Sequence, residues 1–317
     1  MIPHRPTFAS RDEYAARLGD ARYWSPYIEE IVRRHRLSDA LLAVGTVGSF
    51  PTFLVGSYVV KLFCEQFDGA VCFQSERAIL QLLRAHPAIP APELIAEGAL
   101  FGVVPQSVEA TPAGADWPWP YLIITRVGGV AWHDGRLAYG ESAVVAREIG
   151  TVLRQLHGLP PPIGPLWERD WLAEFRATCL ERQRGYGTLP PDLLDQVEAY
   201  LIEPQPDRRL LHADLHDHHL FLEKGRLAGI IDWGDTIVAD PYHELPALHL
   251  GTFKADTRLL AAFLDGYAWP AAADFERRAM SATIAHPFDV LRRVARATDL
   301  SQFDSLEALA AHIWRTS

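Results

Sequence analysis

The stretch from residue 211 to residue 235 constrains the fold of this 317-residue chain more than any other part of it. A polar segment rich in histidine and aspartate, residues 212–219, is followed by two short apolar runs with a turn, residues 223–226, between them. Short apolar runs on either side of a glycine-containing turn are typical of a β-hairpin. The sequence therefore predicts antiparallel strands at residues 220–222 and 227–231.

Three polar side chains come together if this hairpin forms. A ribbon of this length brings Asp214, His219 and Asp232 to the same end, because the second strand ends just before Asp232. Magnesium-dependent phosphoryl transfer needs one carboxylate for the proton of the attacking hydroxyl and two further ligands for the metal ion. The plainer interpretation is a solvated, histidine-rich loop followed by a common Asp-Trp-Gly turn.

The order of these residues carries a family resemblance. The chain has His-x-Asp, a metal-ligand position five residues after that aspartate, and then Ile-Ile-Asp-Trp-Gly-Asp. This order resembles the aminoglycoside phosphotransferase family of kinase-like small-molecule kinases, whose pattern is His-Gly-Asp-x-x-x-x-Asn followed by Ile-Asp-Trp. The matching positions are His212, Ala213, Asp214, His219 and Ile231-Asp232-Trp233. His219 stands where the family carries a metal-binding Asn.

The resemblance runs from about residue 40 to residue 250 and implies both a fold and an activity. The fold is a protein-kinase-like, two-lobe α+β fold with a small antiparallel-sheet N-lobe and a mostly helical C-lobe. We predict the N-lobe at residues 1–127, with a helical lead-in at residues 1–39, and the C-lobe at residues 128–317. The implied activity moves the γ-phosphate of ATP or GTP to a hydroxyl of a small molecule, with Mg²⁺ as cofactor.

Composition limits the partners and the compartment. The net charge of −10 disfavours a nucleic-acid partner and favours cationic ones. Cys64, Cys72 and Cys179 show no metal-ligand spacing, which favours reduced thiols in a cytosol. The sequence has neither a charged-then-apolar leader nor a run of about 18 apolar residues, so we expect a cytoplasmic protein without a membrane segment.

The N-lobe is predicted to contain a helical lead-in and a sheet of short strands with one helix. Residues 11–37 have helical spacing, with Tyr14, Leu18, Tyr27, Ile28 and Ile31 as the inward residues. The strands are predicted at residues 41–47, 52–55, 57–63, 93–97 and 121–125, and the helix at residues 73–85.

A lysine inside an apolar strand is the second feature with chemical meaning. Lys61 is one of only three lysines among 30 basic residues, and its neighbours in the strand are apolar. Glu76 is placed in the first turn of the helix that follows. In kinase-like enzymes such a strand lysine and helix glutamate form the ion pair that orients the lysine toward nucleotide phosphates. The alternative is an edge-strand lysine that reaches solvent and a glutamate favoured by the helix dipole.

Two further segments are assigned to the nucleotide. Gly48 and Ser49 lie in the turn between the first two strands, where backbone amides can approach phosphate oxygens. This turn lacks the Gly-Lys-Ser/Thr of a P-loop. In the kinase-like layout, backbone groups from Thr125 to Val127 would bind the adenine edge, an assignment that rests on the order of the elements.

The C-lobe is predicted to be mostly helical. Apolar residues have helical spacing at residues 142–157, 171–184, 192–201, 257–267, 275–297 and 305–314. Asp240-Pro241 resembles the family's Asp-Pro turn beyond the metal site, where the aspartate braces the loop.

The resemblance implies a role for each residue of the motif. Asp214 would accept or orient the proton of the attacking hydroxyl, Asp232 would bind magnesium, and His212 would support the loop by hydrogen bonding. Manganese and zinc accept a nitrogen ligand more readily than magnesium does. Because His219 offers nitrogen, we predict that Mn²⁺ supports the activity of this chain relatively better than it supports that of relatives with Asn. Asp217 and Asp235 are interpreted as solvated turn residues, with a contribution of negative potential at the mouth of the substrate site as the alternative.

Two other classes of function fit parts of the sequence. An iron(II) oxygenase would use His212 and Asp214 with His243 or His249 as a two-His-one-carboxylate triad, but that fold needs many strands around the triad and this chain is helical on both sides of it. A kinase-like protein that binds nucleotide without turnover is the other alternative, suggested by His219.

The identity of the substrate stays open. Aminoglycosides, choline, sugars and amino alcohols are all substrates of similar enzymes, and the acidic balance is compatible with a polycationic aminosugar without requiring one. Residues 168–174 and 289–293 of the C-lobe are predicted to contact the substrate. The choice between ATP and GTP also stays open.

Overall fold

The computed structural model describes residues 4–37, 42–46 and 48–316. Residues 41 and 47 of the predicted first strand, and residues 1–3 and 38–39 of the predicted lead-in, lie outside this part. The chain divides into two compact units, which are described separately. The first unit contains residues 1–87, 91–127 and 232–235, and the second contains residues 88–90, 128–231 and 236–317.

The first unit contains a five-stranded antiparallel sheet. Its helices and strands are α1 (Arg11–Ala15), α2 (Ala21–His35), β1 (Leu42–Val44), β2 (Thr52–Val55), β3 (Tyr58–Leu62), α3 (Gly69–Leu83), β4 (Leu94–Ala99) and β5 (Pro120–Thr125). The strand order is β1-β2-β3-β5-β4, so β3 is a central strand. Val60, Lys61 and Leu62 of β3 are all buried, which means that both faces of the sheet are covered at this point.

The lead-in consists of two helices rather than the single helical segment predicted at residues 11–37. The chain turns at Asp20, whose side chain accepts a hydrogen bond from the Tyr23 N–H and begins α2. Trp24 of α2 packs against Trp119, with 5.4 Å between ring centroids. The five residues that were predicted to face inward are all buried: Tyr14, Leu18, Tyr27, Ile28 and Ile31.

The helix α3 begins at Gly69, four residues before its predicted start. A Cβ built on Gly69 would lie 1.7 Å from the carbonyl oxygen of Cys64, so only glycine allows the backbone to approach this closely. The sequence predicted Glu76 in the first turn of the helix, but the earlier start places it in the second turn.

The second unit is mostly helical, with two small sheets. Its helices and strands are β6 (Val130–Ala131), α4 (Tyr139–His157), α5 (Pro165–Glu168), α6 (Trp171–Ala177), α7 (Cys179–Tyr186), α8 (Pro191–Leu194), α9 (Val197–Tyr200), β7 (Arg209–Leu211), β8 (Leu220–Glu223), β9 (Arg226–Ile230), β10 (Ile237–Ala239), α10 (Thr257–Tyr267), α11 (Phe275–Ala285), α12 (Leu291–Ala295) and α13 (Leu306–Trp314). The predicted hairpin is β8-β9, and β6 pairs with β8. The strands β7 and β10 form the other sheet.

Helices α4 and α10 pack with their backbones in close contact. A Cβ built on Gly150 would lie 2.2 Å from the carbonyl oxygen of Phe263, and one built on Gly266 would lie 2.1 Å from that of Arg147. Two glycines thus allow α4, which ends at His157, to lie directly against α10.

Three of the predicted helices are interrupted. The segment 275–297 ends its first helix at Ala285, because Pro287 disfavours a helical conformation at His286, which is extended with ψ of 138°. The segments 171–184 and 192–201 each form two short helices, α6 and α7 in the first and α8 and α9 in the second.

Two expectations about the whole chain can be compared with the structure. Within residues 4–37, 42–46 and 48–316, none of the helices combines the length and the apolar character needed to cross a lipid bilayer. Cys64, Cys72 and Cys179 are free thiols, and all three are buried.

Candidate active site

Lys61 is the centre of an ion-pair network in the first unit. Its Nζ donates to Glu76 Oε2 at 2.7 Å and to Asp232 Oδ1 at 2.6 Å. The side chains of Lys61 and Glu76 are 8% and 1% exposed, whereas that of Asp232 is 36% exposed. The structure thus brings together three of the residues that the sequence assigned to nucleotide and metal.

Burial and charge act in opposite directions on this network. Burial disfavours the charged form of Lys61, but the carboxylates of Asp232 and Glu76 outweigh it and raise the lysine pKa. Burial raises the pKa of Glu76 to about 6, with Lys61 opposing this increase and Asp232 adding to it. Lys61 is therefore a firmly charged ammonium group shared by two carboxylates.

The backbone around Asp232 explains its position. Asp232 has φ of 65°, in the left-handed region that aspartate tolerates better than most residues. Trp233–Asp235 form a 3-10 turn that packs on α3, where a Cβ built on Gly234 would lie 3.2 Å from Cys72 Cβ. Since α3 also carries Glu76, one helix positions both carboxylates.

The predicted phosphate turn is attached to the lead-in. Gly48 and Ser49 are exposed, and the Ser49 carbonyl accepts a hydrogen bond of 2.9 Å from the Tyr14 hydroxyl. Phe50 follows them and is buried, with its ring centroid 5.5 Å from Lys61 Nζ. The sequence placed Tyr14 in the core but gave no sign that it would hold this turn.

Hydrogen bonds at the end of β5 limit which backbone groups are available to bind the adenine edge. The Thr125 N–H donates to the Glu93 carbonyl at 2.9 Å, and the Arg126 N–H donates to the Ser57 carbonyl at 2.8 Å. Because both amides are used inside the first unit, the prediction now rests mainly on Val127, the last residue of that unit before Gly128.

In the second unit, Glu244 organises the loop that carries Asp214. Its Oε2 accepts the N–H of His212 at 2.8 Å, and its Oε1 accepts that of Ala213 at 2.9 Å. Glu244 is fully buried, and its Oε2 lies 3.3 Å from His157 Nε2. Burial alone would raise its pKa, but the hydrogen bond and charge of His157, together with His212, lower it.

Glu244 was not among the residues predicted from the sequence. The signal for it was its position in Asp-Pro-Tyr-His-Glu, four residues after Asp240, whose bracing role was predicted. Asp240 Oδ1 accepts the Tyr242 N–H at 3.0 Å and its Oδ2 accepts the Gln205 N–H at 2.5 Å. Asp240 thus fixes the turn that places Glu244.

Ala213 adopts a conformation that favours glycine. Its φ is 68°, and an L-residue in this region costs on the order of 1 kcal/mol. The motif of the family has Gly here. The two hydrogen bonds from the backbone to Glu244 hold Ala213 in this conformation, as is expected where surrounding contacts fix a strained backbone.

His212 lies inside the loop and stabilises it. Its Nε2 lies 3.0 Å from the Ile231 carbonyl and therefore donates to it, while its Nδ1 accepts the N–H of Asp214 at 3.3 Å. Both contacts are consistent with one neutral tautomer. The imidazole is fully buried, so its position is one of support.

Asp214 has two histidines beside its carboxylate. Its Oδ2 lies 3.6 Å from His216 Nε2 and 3.7 Å from His219 Nδ1. The same Nδ1 donates to the Asp214 carbonyl at 2.7 Å. The structure therefore brings together two of the predicted residues, Asp214 and His219, and adds His216, for which the sequence predicted no role.

Asp217 is buried, and the interpretation of it as a solvated turn residue is wrong. Its carboxylate accepts hydrogen bonds from Lys254 Nζ at 2.6 Å and His133 Nδ1 at 3.0 Å, and it lies 3.5 Å from an Arg293 nitrogen. Burial opposes its charge, but the neighbouring side chains of His216, Lys254 and His133 outweigh this and lower its pKa. Composition could not reveal three hydrogen-bonding side chains converging from distant parts of the chain.

The iron(II) triad is not assembled in the described residues. Neither of their two groups of three clustered metal-ligating side chains includes His243 or His249. His249 Nε2 lies 2.9 Å from the Ile313 carbonyl, and the His243 ring stacks on that of His286 at 4.9 Å. Both histidines are therefore core residues.

Solved structures of aminoglycoside phosphotransferases are similar to this chain over most of its length. The GDP and kanamycin complex of APH(2")-IIia has a TM-score of 0.62 and 17% identity, covering 87% of this chain and 95% of that one. APH(3'')-Id from Streptomyces rimosus has a TM-score of 0.57 and 20% identity, covering 82% and 98%. The streptomycin-ATP-APH(2")-IIa ternary complex has a TM-score of 0.57 and 17% identity, covering 93% and 99%.

The fold is thus the protein-kinase-like, two-lobe α+β fold of phosphotransferases, as the sequence predicted. The profile of the phosphotransferase enzyme family (APH) matches residues 42–281, more than half of the chain. This chain belongs to that family, which confirms the resemblance read from residues 212–233.

One curated relative is named as a demethylase and not as a phosphotransferase. Lysine-specific demethylase JMJ21 of Arabidopsis thaliana is 22% identical in an alignment 365 positions long, which covers 79% of this chain. The chain spans only 38% of the length of that protein.

Proposed function

We propose that this chain transfers the γ-phosphate of ATP or GTP to a hydroxyl group of a small molecule. The observation that carries the proposal is the buried ammonium of Lys61 bound to both Glu76 and Asp232, at 2.7 and 2.6 Å. A lysine oriented by a helix glutamate, beside a carboxylate for the metal, is the arrangement that kinases use to hold nucleotide phosphates. Residues 1–127 would be the nucleotide-binding lobe and residues 128–317 the catalytic and substrate lobe.

The chemistry of the side chains fits a magnesium–nucleotide complex. Asp232 offers a partly exposed carboxylate, the kind of ligand that magnesium prefers, and we assign His219 as a second ligand. When bound, the ion neutralises charge on the phosphates. Lys61 would hold the phosphate oxygens, the amides of Gly48 and Ser49 would approach them, and the backbone of the segment from Thr125 to Val127, chiefly that of Val127, would bind the base.

Asp214 is assigned as the residue that accepts or orients the proton of the attacking hydroxyl. Its loop is suited to this role because Glu244 and His212 fix the backbone on both sides of Ala213. A group that must meet a proton at hydrogen-bond distance gains from such fixed placement. His212 serves the reaction by holding this loop.

Aminoglycosides are the first class of acceptor to test. The similar structures are named for complexes with kanamycin, streptomycin and gentamicin, and their nucleotides are GDP or ATP. The net charge of −10 is compatible with a cationic aminosugar. Choline, sugars and amino alcohols remain candidates, and we place the reaction in the cytoplasm, without a nucleic-acid or membrane partner.

A protein that binds nucleotide without turnover is the second candidate, favoured by His219 in place of Asn. The experiment is a measurement of ADP or GDP formation by purified protein with a panel of aminoglycosides and small alcohols, in Mg²⁺ and in Mn²⁺, beside Asp214→Ala. Acceptor-stimulated turnover that disappears in Asp214→Ala supports the proposal. Metal-dependent nucleotide binding without turnover supports the second candidate, and no nucleotide binding contradicts both.

A further inference from the structure

We propose that Asp214, His216 and His219 form a binding site for a divalent transition-metal ion such as Zn²⁺, a site that shares His219 with the magnesium site assigned to Asp232 and His219. Binding at this site would inhibit phosphoryl transfer by occupying the carboxylate of Asp214. The inhibition rests on the proposed function, but the binding itself does not.

The three side chains already lie at nearly the required spacing. Each offers one ligand atom, and these atoms lie within 4.8 Å of one another. Asp214 Oδ2 is 3.6 Å from His216 Nε2, and the rings of His216 and His219 are 3.8 Å apart between centroids. Tetrahedral zinc ligands with bonds of about 2.0–2.1 Å lie roughly 3.3 Å apart, so a bound ion would draw the three ligand atoms together by at most about 1.5 Å.

In each imidazole, the nitrogen that would not bind the metal faces an oxygen acceptor. A hydrogen bond to that acceptor would fix the orientation of the ring toward the metal. His219 Nδ1 donates to the Asp214 carbonyl at 2.7 Å, which leaves Nε2 with the lone pair in the neutral ring. His216 Nδ1 lies 3.8 Å from Oδ1 of the buried Asp217. Binding of an ion by His216 Nε2 would place the ring proton on Nδ1, from which it would be donated in a hydrogen bond to Asp217, a carboxylate–histidine–metal arrangement.

His216 Nδ1 has two nearby partners. Its Nδ1 accepts the N–H of His218 at 3.3 Å, so the Nε2 proton faces Asp214. The choice between two nearby partners, a backbone N–H and a buried carboxylate, allows this ring to serve either state. Two imidazoles and one carboxylate favour zinc or cobalt over magnesium, and three protein ligands leave a fourth position for water.

The neighbouring group of His133, Asp217 and His218 is a weaker candidate. Lys254 Nζ lies 2.6 Å from Asp217 and would repel a divalent cation. The rings of His133 and His218 stack on one another at 4.1 Å. His218 is therefore a suitable control, because it lies beside the proposed site and is not one of its ligands.

The test is a titration with Co²⁺, followed by its visible absorption, and displacement by Zn²⁺, in the absence of nucleotide. We expect one tight site per chain in the wild type. His216→Ala and His219→Ala should weaken Zn²⁺ binding by at least about 100-fold, since loss of a ligand exceeds the roughly 10–100-fold effect of losing an outer partner. His218→Ala should bind within about threefold of the wild type.

Two results would overturn the site: His216→Ala and His219→Ala binding Zn²⁺ as tightly as the wild type, or His218→Ala losing the binding. His216→Gln is a second variant of closer size, and circular dichroism checks that each variant is folded. Zn²⁺ should also inhibit magnesium-supported turnover, reversibly with a chelator. Tight Zn²⁺ binding by a protein without turnover would support the site and contradict the proposed function, whereas turnover without Zn²⁺ binding would do the reverse.

Discussion

Lys61 Nζ lies 2.6 Å from Asp232 Oδ1, although 171 residues separate them in the sequence. The same ammonium lies 2.7 Å from Glu76 Oε2. A single cation therefore compensates two carboxylates, one of them fully buried. Loss of the lysine would leave two negative charges close together, which is costlier than loss of an exposed ion pair.

We predict that Lys61→Met lowers the free energy of unfolding by about 3 kcal/mol, because the buried carboxyl of Glu76 loses its partner and must either stay charged in the core or take up a proton. Urea unfolding measures this. Adding Glu76→Gln should restore part of the loss, which identifies the cause as charge rather than packing. Lys224→Met, at an exposed turn, is the matched control and should change stability by less than about 0.5 kcal/mol. Equal effects of Lys61→Met and Lys224→Met would contradict the account.

Glu244→Gln should impair both stability and turnover. An amide can present only one oxygen, so its NH₂ group would face the N–H of either His212 or Ala213 and leave that donor unsatisfied, at about 1–3 kcal/mol. The strained Ala213 would then relax and displace Asp214. Unfolding and turnover measurements test this against Glu223→Gln, an exposed glutamate at the end of β8. A Glu244→Gln protein as stable and active as Glu223→Gln would show that the loop needs no such support.

Stability should fall as the pH is lowered from 6.5 to 4. Burial lowers the pKa of His249 and of His286 to about 4, so the folded protein keeps both neutral where the unfolded chain takes up protons. The folded state thus loses up to about 1.4 kcal/mol per pH unit for each group. His249→Gln, which can still donate to the Ile313 carbonyl, should lose about 2 kcal/mol less than the wild type between pH 7 and pH 5. The exposed His4→Gln should lose as much as the wild type.

His219→Asn should shift the metal preference of turnover toward magnesium. An amide oxygen is the harder ligand and an imidazole nitrogen the softer one, so the ratio of kcat/KM in Mn²⁺ to that in Mg²⁺ should be higher in the wild type. His218→Asn controls for loss of an imidazole from the same loop. An unchanged ratio in His219→Asn would show that His219 does not bind the metal ion.

The sequence was sufficient for the parts of the fold and site that depend on local patterns. The hairpin β8-β9, the strand that carries Lys61 and the pair of Lys61 with Glu76 all follow from short-range periodicity and a two-part motif. The boundaries were less accurate. The helix α3 begins at Gly69 because of one close backbone contact with Cys64, which no period of apolar residues reveals.

What could not be predicted depends on contacts between distant residues. Glu244 binds the backbone of His212 and Ala213 across about 31 residues, and Asp217 is surrounded by Lys254, His133 and Arg293. Each of these polar residues would be assigned to solvent from its neighbours in the sequence alone. Their burial is possible because partners from other elements satisfy them.

The most direct test of the central claim is detection of the phosphorylated acceptor itself. Protein, Mg²⁺, ATP or GTP and the acceptor that stimulates turnover would be incubated, and the acceptor analysed by mass spectrometry alongside nucleoside diphosphate. We predict equal amounts of phosphorylated acceptor and diphosphate from the wild type, and a rate lower by about 10²–10⁴-fold in Asp214→Asn. Diphosphate without a phosphorylated acceptor, or an Asp214→Asn protein as fast as the wild type, would contradict it.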